Sequence, residues 1–280
     1  MTTTSATPQM SRSEALALRY GDGTVPPAGP WNEQIAALLS HRSVRGYRSD
    51  PLPDGTLETL VAAAQSAATS SNLQVWSVIA VTDADARREL AEIAGGQQHI
   101  VQCPLYLVWL ADLARNNRLG QSAEVEMQAI PYLETFMLAV IDAALAAQNA
   151  VVAAESLGLS TVYIGAMRND PLRVARLLGL PAGTVGVFGL CVGYAAEGEA
   201  GEVKPRLPQA TVLHRERYGR EDDPDLRAAY DREMNGFRLR NGLPQQTWSE
   251  LVLARLGRLA SMNGREVLKD VVRERGFPLR

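Results

Sequence analysis

Histidine and cysteine are scarce in this 280-residue chain, which carries three of the first (His41, His99, His214) and two of the second (Cys103, Cys191). An imidazole-based metal centre would need nearly all the histidines, from distant positions, and no zinc-type spacing is present. Each cysteine sits in an apolar run, without an adjacent His or basic residue. They read as buried thiols of a reducing cytoplasm, although spacing alone leaves a disulfide open. An excess of positive charge is missing as well: the formal net charge is -3, which argues against general nucleic-acid affinity. The first ten residues are Thr, Ser, Pro and Gln in character with no apolar stretch, so no secretory signal is expected. The one long apolar run, 136–154, is mostly Ala and contains Asp142, Gln148 and Asn149, which reads as a core helix and not a membrane span. Also absent are a dinucleotide glycine fingerprint, a Walker loop and a nucleophile elbow. Chemistry borrowed from a bound cofactor remains.

What is present begins at His41-Arg42-Ser43-Val44-Arg45-Gly46-Tyr47, just after an amphipathic run that should end there as a short helix. Two guanidiniums, an imidazole and a hydroxyl in five residues make a plausible phosphate clamp, since arginine's planar fork matches phosphate oxygens two at a time. Taken alone, the heptapeptide is more simply a set of solvated cations complementing a helix end. Further along, Thr69-Ser70-Ser71-Asn72-Leu73-Gln74 is a small polar stretch able to meet a ligand or merely to end a helix. Gly95-Gly96 before Gln97-Gln98-His99 permits unusual backbone angles. Strands are expected over 75–82, 105–111 and 185–192, and another from 161 opening into a turn near 165–169. Pro171 should open the next helix. The run 134–157 is apolar nearly all round, so it must be buried on most sides, which a subunit interface or a central helix would satisfy. In Lys204-Pro205-Arg206-Leu207-Pro208 the prolines hold both cations in extended geometry. From about residue 209 the composition shifts to charged helices over 225–239, 247–259 and 264–275, with little apolar surface for a core of their own.

Six of these stretches in one order resemble the nitroreductase superfamily, in its NADPH-dependent nitroreductase and flavin reductase branch. They are His41-Arg42-Ser43 with Arg45, Thr69 to Gln74, Gly95 to His99, Ala147-Gln148-Asn149-Ala150 with Glu155-Ser156-Leu157-Gly158, Val162-Tyr163-Ile164-Gly165, and Lys204 to Pro208. The resemblance covers about 31–280, including Thr247-Trp248-Ser249. It implies an α+β fold, a mixed sheet of four or five strands flanked by helices, in an intertwined homodimer with FMN at the subunit interface. Residues 1–30 would be a flexible extension holding a short helix near 13–20, 31–208 the FMN-binding core, and 209–280 a helical excursion over the core or the partner.

By the same resemblance His41, Arg42, Ser43, Lys204 and Arg206 would hold the FMN phosphate. Arg45 would lie by the ring or ribityl chain as an electrostatic stabiliser of the reduced flavin. Thr69, Ser70, Ser71 and Gln97 would be ring and ribityl contacts, and Tyr163, Gly165 and Ala166 would bring backbone to the flavin edge. Ala166 stands where a second glycine is common. The implied activity is ping-pong hydride transfer from NADPH through FMN to nitroaromatics, quinones or free flavin, with no catalytic side chain. Arg238 and Arg240 are the candidates for the NADPH 2′-phosphate, although one arginine expected in the tail is replaced by Gln. A flavin carrier or sensor, or flavin supply to a partner monooxygenase, is the alternative.

Overall fold

The computed structural model describes residues 10–21, 24–27, 29–219 and 223–280. In chain order the helices are α1 (Arg12–Tyr20), α2 (Glu33–Ser40), α3 (Thr56–Gln65), α4 (Ala84–Ile93), α5 (His99–Gln102), α6 (Ala114–Ser122), α7 (Leu133–Ser156), α8 (Pro171–Leu177), α9 (Gln209–Val212), α10 (Pro224–Arg240), α11 (Trp248–Leu256) and α12 (Leu268–Glu274). The strands are β1 (Trp76–Ala80), β2 (Leu105–Asp112), β3 (Ser160–Ile164) and β4 (Thr184–Gly193). Two compact units result: 1–42 with 201–261, and 43–200 with 262–280. These limits differ from the expected 30/31 and 208/209. The last nineteen residues leave the tail for the second unit because Val271, Val272 and Phe277 are apolar and find burial there.

The second unit is built on a four-stranded sheet in the order β1-β2-β4-β3, with every named pairing antiparallel. Among the described residues, the parallel component of the expected mixed sheet is the single bridge between Ser43 and Thr161. All eight residues of β2 are buried, and alternation divides them between two faces. Leu105, Leu107 and Trp109 pack with Leu60 of α3 and Ala146, Ala147, Ala150 and Val151 of α7. Tyr106, Val108 and Leu110 pack on the opposite side with Leu90, Ile93, Ile100, Met167 and Val174. Gly189 on β4 is required by this packing, since the Tyr106 phenol occupies the space a side chain there would fill.

The core helix α7 is also long and apolar enough to cross a membrane by length and composition alone. Its alanine face meets the sheet, which lets helix and strands approach closely. The expectation that it is buried on most sides is not met within one chain: Met137 and Ile141 are each 48% exposed and Leu145 45%. Gly158 follows its C-terminus at φ 76°, the left-handed angle that ends many helices. Pro171 occupies the first turn of α8, which Asp170 caps through the Arg173 N–H at 2.9 Å.

The first unit has a smaller core, in which Tyr230, Met234 and Phe237 of α10 pack with Leu207 and Trp248. The short helix expected near 13–20 in the N-terminal extension is α1, with a complete Ser11/Glu14 capping box, and residues 1–9 lie outside the described residues. The expected helix over 264–275 is a short turn at Arg265–Val267 followed by α12.

The sheet packing predicts that Leu107→Ala, at a fully buried position on β2, destabilises the protein by about 2–5 kcal/mol. Chemical denaturation monitored by circular dichroism checks it.

Candidate functional site

In the first unit the basic residues expected to meet phosphate fall on two segments. One is the end of α2, with His41 at the C-cap and exposed Arg42 next. The other is the extended Lys204-Pro205-Arg206, where Lys204 and Arg206 are exposed and Pro205 is buried. Arg42 donates to the Gly201 carbonyl at 3.4 Å, and Arg206 to the carbonyls of Lys204 and Pro205 at 3.2 Å. Among the described residues neither guanidinium is paired with a carboxylate. The Lys204 ammonium lies 5.7 Å from the Phe237 ring centroid, a cation–π contact that helps hold the side chain.

The second unit takes over at Ser43. Residues 43–47 are held extended by the Ser43 bridge, by Val44 N–H donating to Thr161 O at 3.0 Å, and by the Tyr47 hydroxyl donating to Val44 O at 2.9 Å. Val44 and Tyr47 point inward, leaving Ser43 and Arg45 exposed. A pocket of about 390 Å³ is lined by Tyr163, Gly165, Gln148, Ala144, Arg168 and Phe188. The Tyr163 ring stands edge-on to Phe188 at 5.1 Å, and its hydroxyl contacts Gln148 at 3.4 Å. Burial, followed by the nearby Glu155, pushes the Tyr163 phenol well above its usual range, so it stays protonated. Ala166 is buried directly behind Gly165.

Two expected contacts have other partners. The Thr69 hydroxyl donates to Asp142, and the Ser70 N–H donates to the same carboxylate at 3.2 Å. Asp142 is 2% exposed on α7, so these two groups satisfy a buried charge. The loop they anchor carries Ser71, Asn72 and Gln74 at φ 48°, 56° and 51°, a left-handed conformation uncommon for such residues. Ser71 is exposed. Gln97 donates to Ala94 O at 2.9 Å, closing the turn that Gly95 and Gly96 make at φ 79° and 82°.

Sequence reasoning passed over Arg168 and Phe188, which line the pocket. Arg168 stands in the strand-turn already singled out, and Phe188 lies on a strand whose partly exposed face no local pattern marks. It also missed Arg87, whose guanidinium sits 3.3 Å from the Cys103 sulfur across sixteen residues of sequence. Both cysteines are free and buried. A hydrogen bond from Cys191 lowers the Cys103 thiol, while burial raises Cys191.

The nitroreductase family model matches residues 38–194, and the model of that family's C-terminal domain matches 204–280. The chain belongs to the nitroreductase family. It is 37% identical over 252 residues to the FMN reductase (NADPH) of Bacillus subtilis, covering 88% of this chain and 98% of that protein. It is 38% identical over 218 residues to the oxygen-insensitive NADPH nitroreductase of Salmonella typhimurium, covering 77% and 88%. The solved structure of the NADPH:FMN oxidoreductase of Vibrio harveyi complexed with NAD+ superposes with a TM-score of 0.80 at 34% identity, over 89% of this chain and all of that one. The α+β fold that the resemblance implied is therefore that of the nitroreductase family. The family match starts after α1.

His99, at the end of the stretch 95–99, is a buried titratable group. It is 8% exposed, and its Nε2 has no hydrogen-bond partner. Burial, and secondarily the positive charge of Arg45, lowers its pKa. A group that is neutral when folded and takes up a proton when unfolded makes stability fall as pH drops below the unfolded value of about 6.5. We expect the urea midpoint to decline from pH 7 to 5, and the decline to be smaller in His99→Gln. An imidazole resonance of His99 titrating above the ordinary value of about 6.5 would contradict this.

Proposed function

We propose that this nitroreductase is an FMN-dependent oxidoreductase that takes electrons from NADPH and delivers them to nitroaromatics, quinones or free flavin. One observation carries the reading: among the described residues the exposed Arg42 and Arg206, on two segments of one unit, are held by backbone carbonyls and not by carboxylates. Their charge is available to a phosphate dianion, and His41, Lys204 and the adjoining Ser43 complete the donor set. The names of the relatives support the choice of FMN and NADPH. Bound FMN supplies the two-electron relay between donor and acceptor.

The chain's own residues bind and tune. Arg42 and Arg206 neutralise phosphate charge through charge-assisted hydrogen bonds. Arg45 is assigned as the cation that would favour the reduced, negatively charged ring. Tyr163, Gly165 and Ala166 bound the flavin edge, with the Tyr163 phenol kept protonated. Ser71 and Gln97 are the polar contacts on the ribityl side. Thr69 and Ser70 act there through the loop they tie to Asp142. No side chain is needed as a general acid or base.

Arg238 and Arg240 are proposed for the NADPH 2′-phosphate. Each is already engaged, Arg238 with Pro244 O at 2.6 Å and Arg240 with Glu202 at 3.0 Å. Glu202 therefore competes with the phosphate for Arg240, and the preference for NADPH over NADH should be moderate. The exposed stripe Met137, Ile141 and Leu145 on α7 supports a homodimer, because a second copy would remove it from water. The free buried thiols and the choice of NADPH agree with a cytoplasmic enzyme. Nothing in the composition points to nucleic acid.

Arg42→Ala and Lys204→Ala should each weaken FMN binding about tenfold or more, since a hydrogen bond to a charged group contributes roughly 1.5–3 kcal/mol. As isolated, both variants should oxidise NADPH poorly with a nitroaromatic acceptor, and saturating FMN should restore turnover. Unchanged FMN affinity in both would overturn the phosphate assignment; no NADPH oxidation by the FMN-loaded wild type would overturn the function.

A further inference from the structure

The helix α1 precedes the family match, which begins at residue 38, yet it supplies a buried cation. Arg19, in its last turn, is 7% exposed. Its guanidinium donates to the Lys204 carbonyl at 2.8 Å, to the His41 carbonyl at 3.0 Å and to the Leu39 carbonyl. In return the Arg19 carbonyl accepts the Arg206 N–H at 2.8 Å.

These partners are the backbone of the two segments that carry the basic cluster. Leu39 and His41 are at the end of α2, where the final carbonyls lack intrahelical partners. Arginine's five donors lie in one plane, so a single side chain can satisfy carbonyls from separate segments at fixed angles. Lys204 and Arg206 flank Pro205, whose carbonyl accepts the Tyr230 hydroxyl at 3.1 Å. Next to Arg19, the Tyr20 hydroxyl meets Gln209 Nε2 at 3.3 Å, so α1 grips this strip at both ends. The side chains of His41, Arg42, Lys204 and Arg206 extend from backbone that α1 has fixed.

We propose that the N-terminal helix is an accessory part of the phosphate site, with Arg19 as the positioning residue that braces the segments 39–42 and 204–206 in register. The inference rests on the FMN reading above and adds to it a residue that touches no ligand. Bracing removes the conformational freedom that the two basic arms would otherwise lose on binding, so it raises affinity through pre-organisation. Its effect is confined to ligands that carry the phosphate.

Riboflavin, which has the ring and ribityl chain of FMN but no phosphate, provides the control. The apoprotein of the wild type and of Arg19→Ala would be titrated with FMN and with riboflavin, each followed by quenching of flavin fluorescence. FMN affinity should fall about tenfold in Arg19→Ala with riboflavin affinity unchanged, so that the preference for FMN shrinks by the same factor. Should Arg19→Ala not fold, Arg19→Gln carries the same test with one amide donor in place of the fork. Equal weakening of both flavins would mark Arg19 as a general structural residue, and an unaltered preference would show that the basic arms need no brace; either result overturns the proposal. A wild-type protein that bound FMN and riboflavin alike would instead overturn the phosphate assignment on which it rests.

Discussion

A strand buried on both faces must be covered from both sides, and β2 imposes that condition on the second unit. Its eight residues have no solvent-facing position, so α3 and α7 are needed below and α4, α5 and α8 above. Burying side chains of this size contributes roughly 1.5–3 kcal/mol each, which makes the sandwich the dominant stabilising feature. Alanine on α7 and Gly189 on β4 follow from it, because the layers close only where small residues stand opposite Trp109 and Tyr106.

The same condition places the chemistry. With both faces of β2 covered, a ligand of this unit is left the outer strands and the loops around them. The pocket beside Tyr163 and Gly165 opens where β3 turns out of the sheet, and the Gly95-Gly96 turn follows α4. Asp142 shows how far the packing reaches: a carboxylate on the core helix, closed off from water, is satisfied by the Thr69–Ser70 loop. That hydrogen bonding holds three non-glycine residues in a conformation they rarely adopt alone, as is common where a loop has to meet a ligand.

Much of this was legible in the sequence, since β-branched and aromatic runs such as 105–111 announce buried strands and Pro171 announces a helix start. The polar motifs were legible as well, although their partners were not. That Thr69 serves Asp142 depends on a contact across 73 residues, and the Arg87–Cys103 approach and the Arg19 brace are likewise set by tertiary packing. α6 went unread because Ala114–Ser122 is mostly polar and has no sustained apolar period. The apolar run of α7 was read as burial by a central position or a subunit interface, and within one chain its outer face is half exposed. The division of the tail at residue 261 depends on Val272 and Phe277 finding a core elsewhere, which composition does not reveal.

The central claim is that electrons pass from NADPH to FMN held by this chain. Anaerobic titration of the FMN-loaded protein with NADPH, followed by absorption, tests it directly. The account predicts stoichiometric bleaching of the visible flavin band and its return when a nitroaromatic acceptor is added. A flavin band that persists in excess NADPH would contradict it.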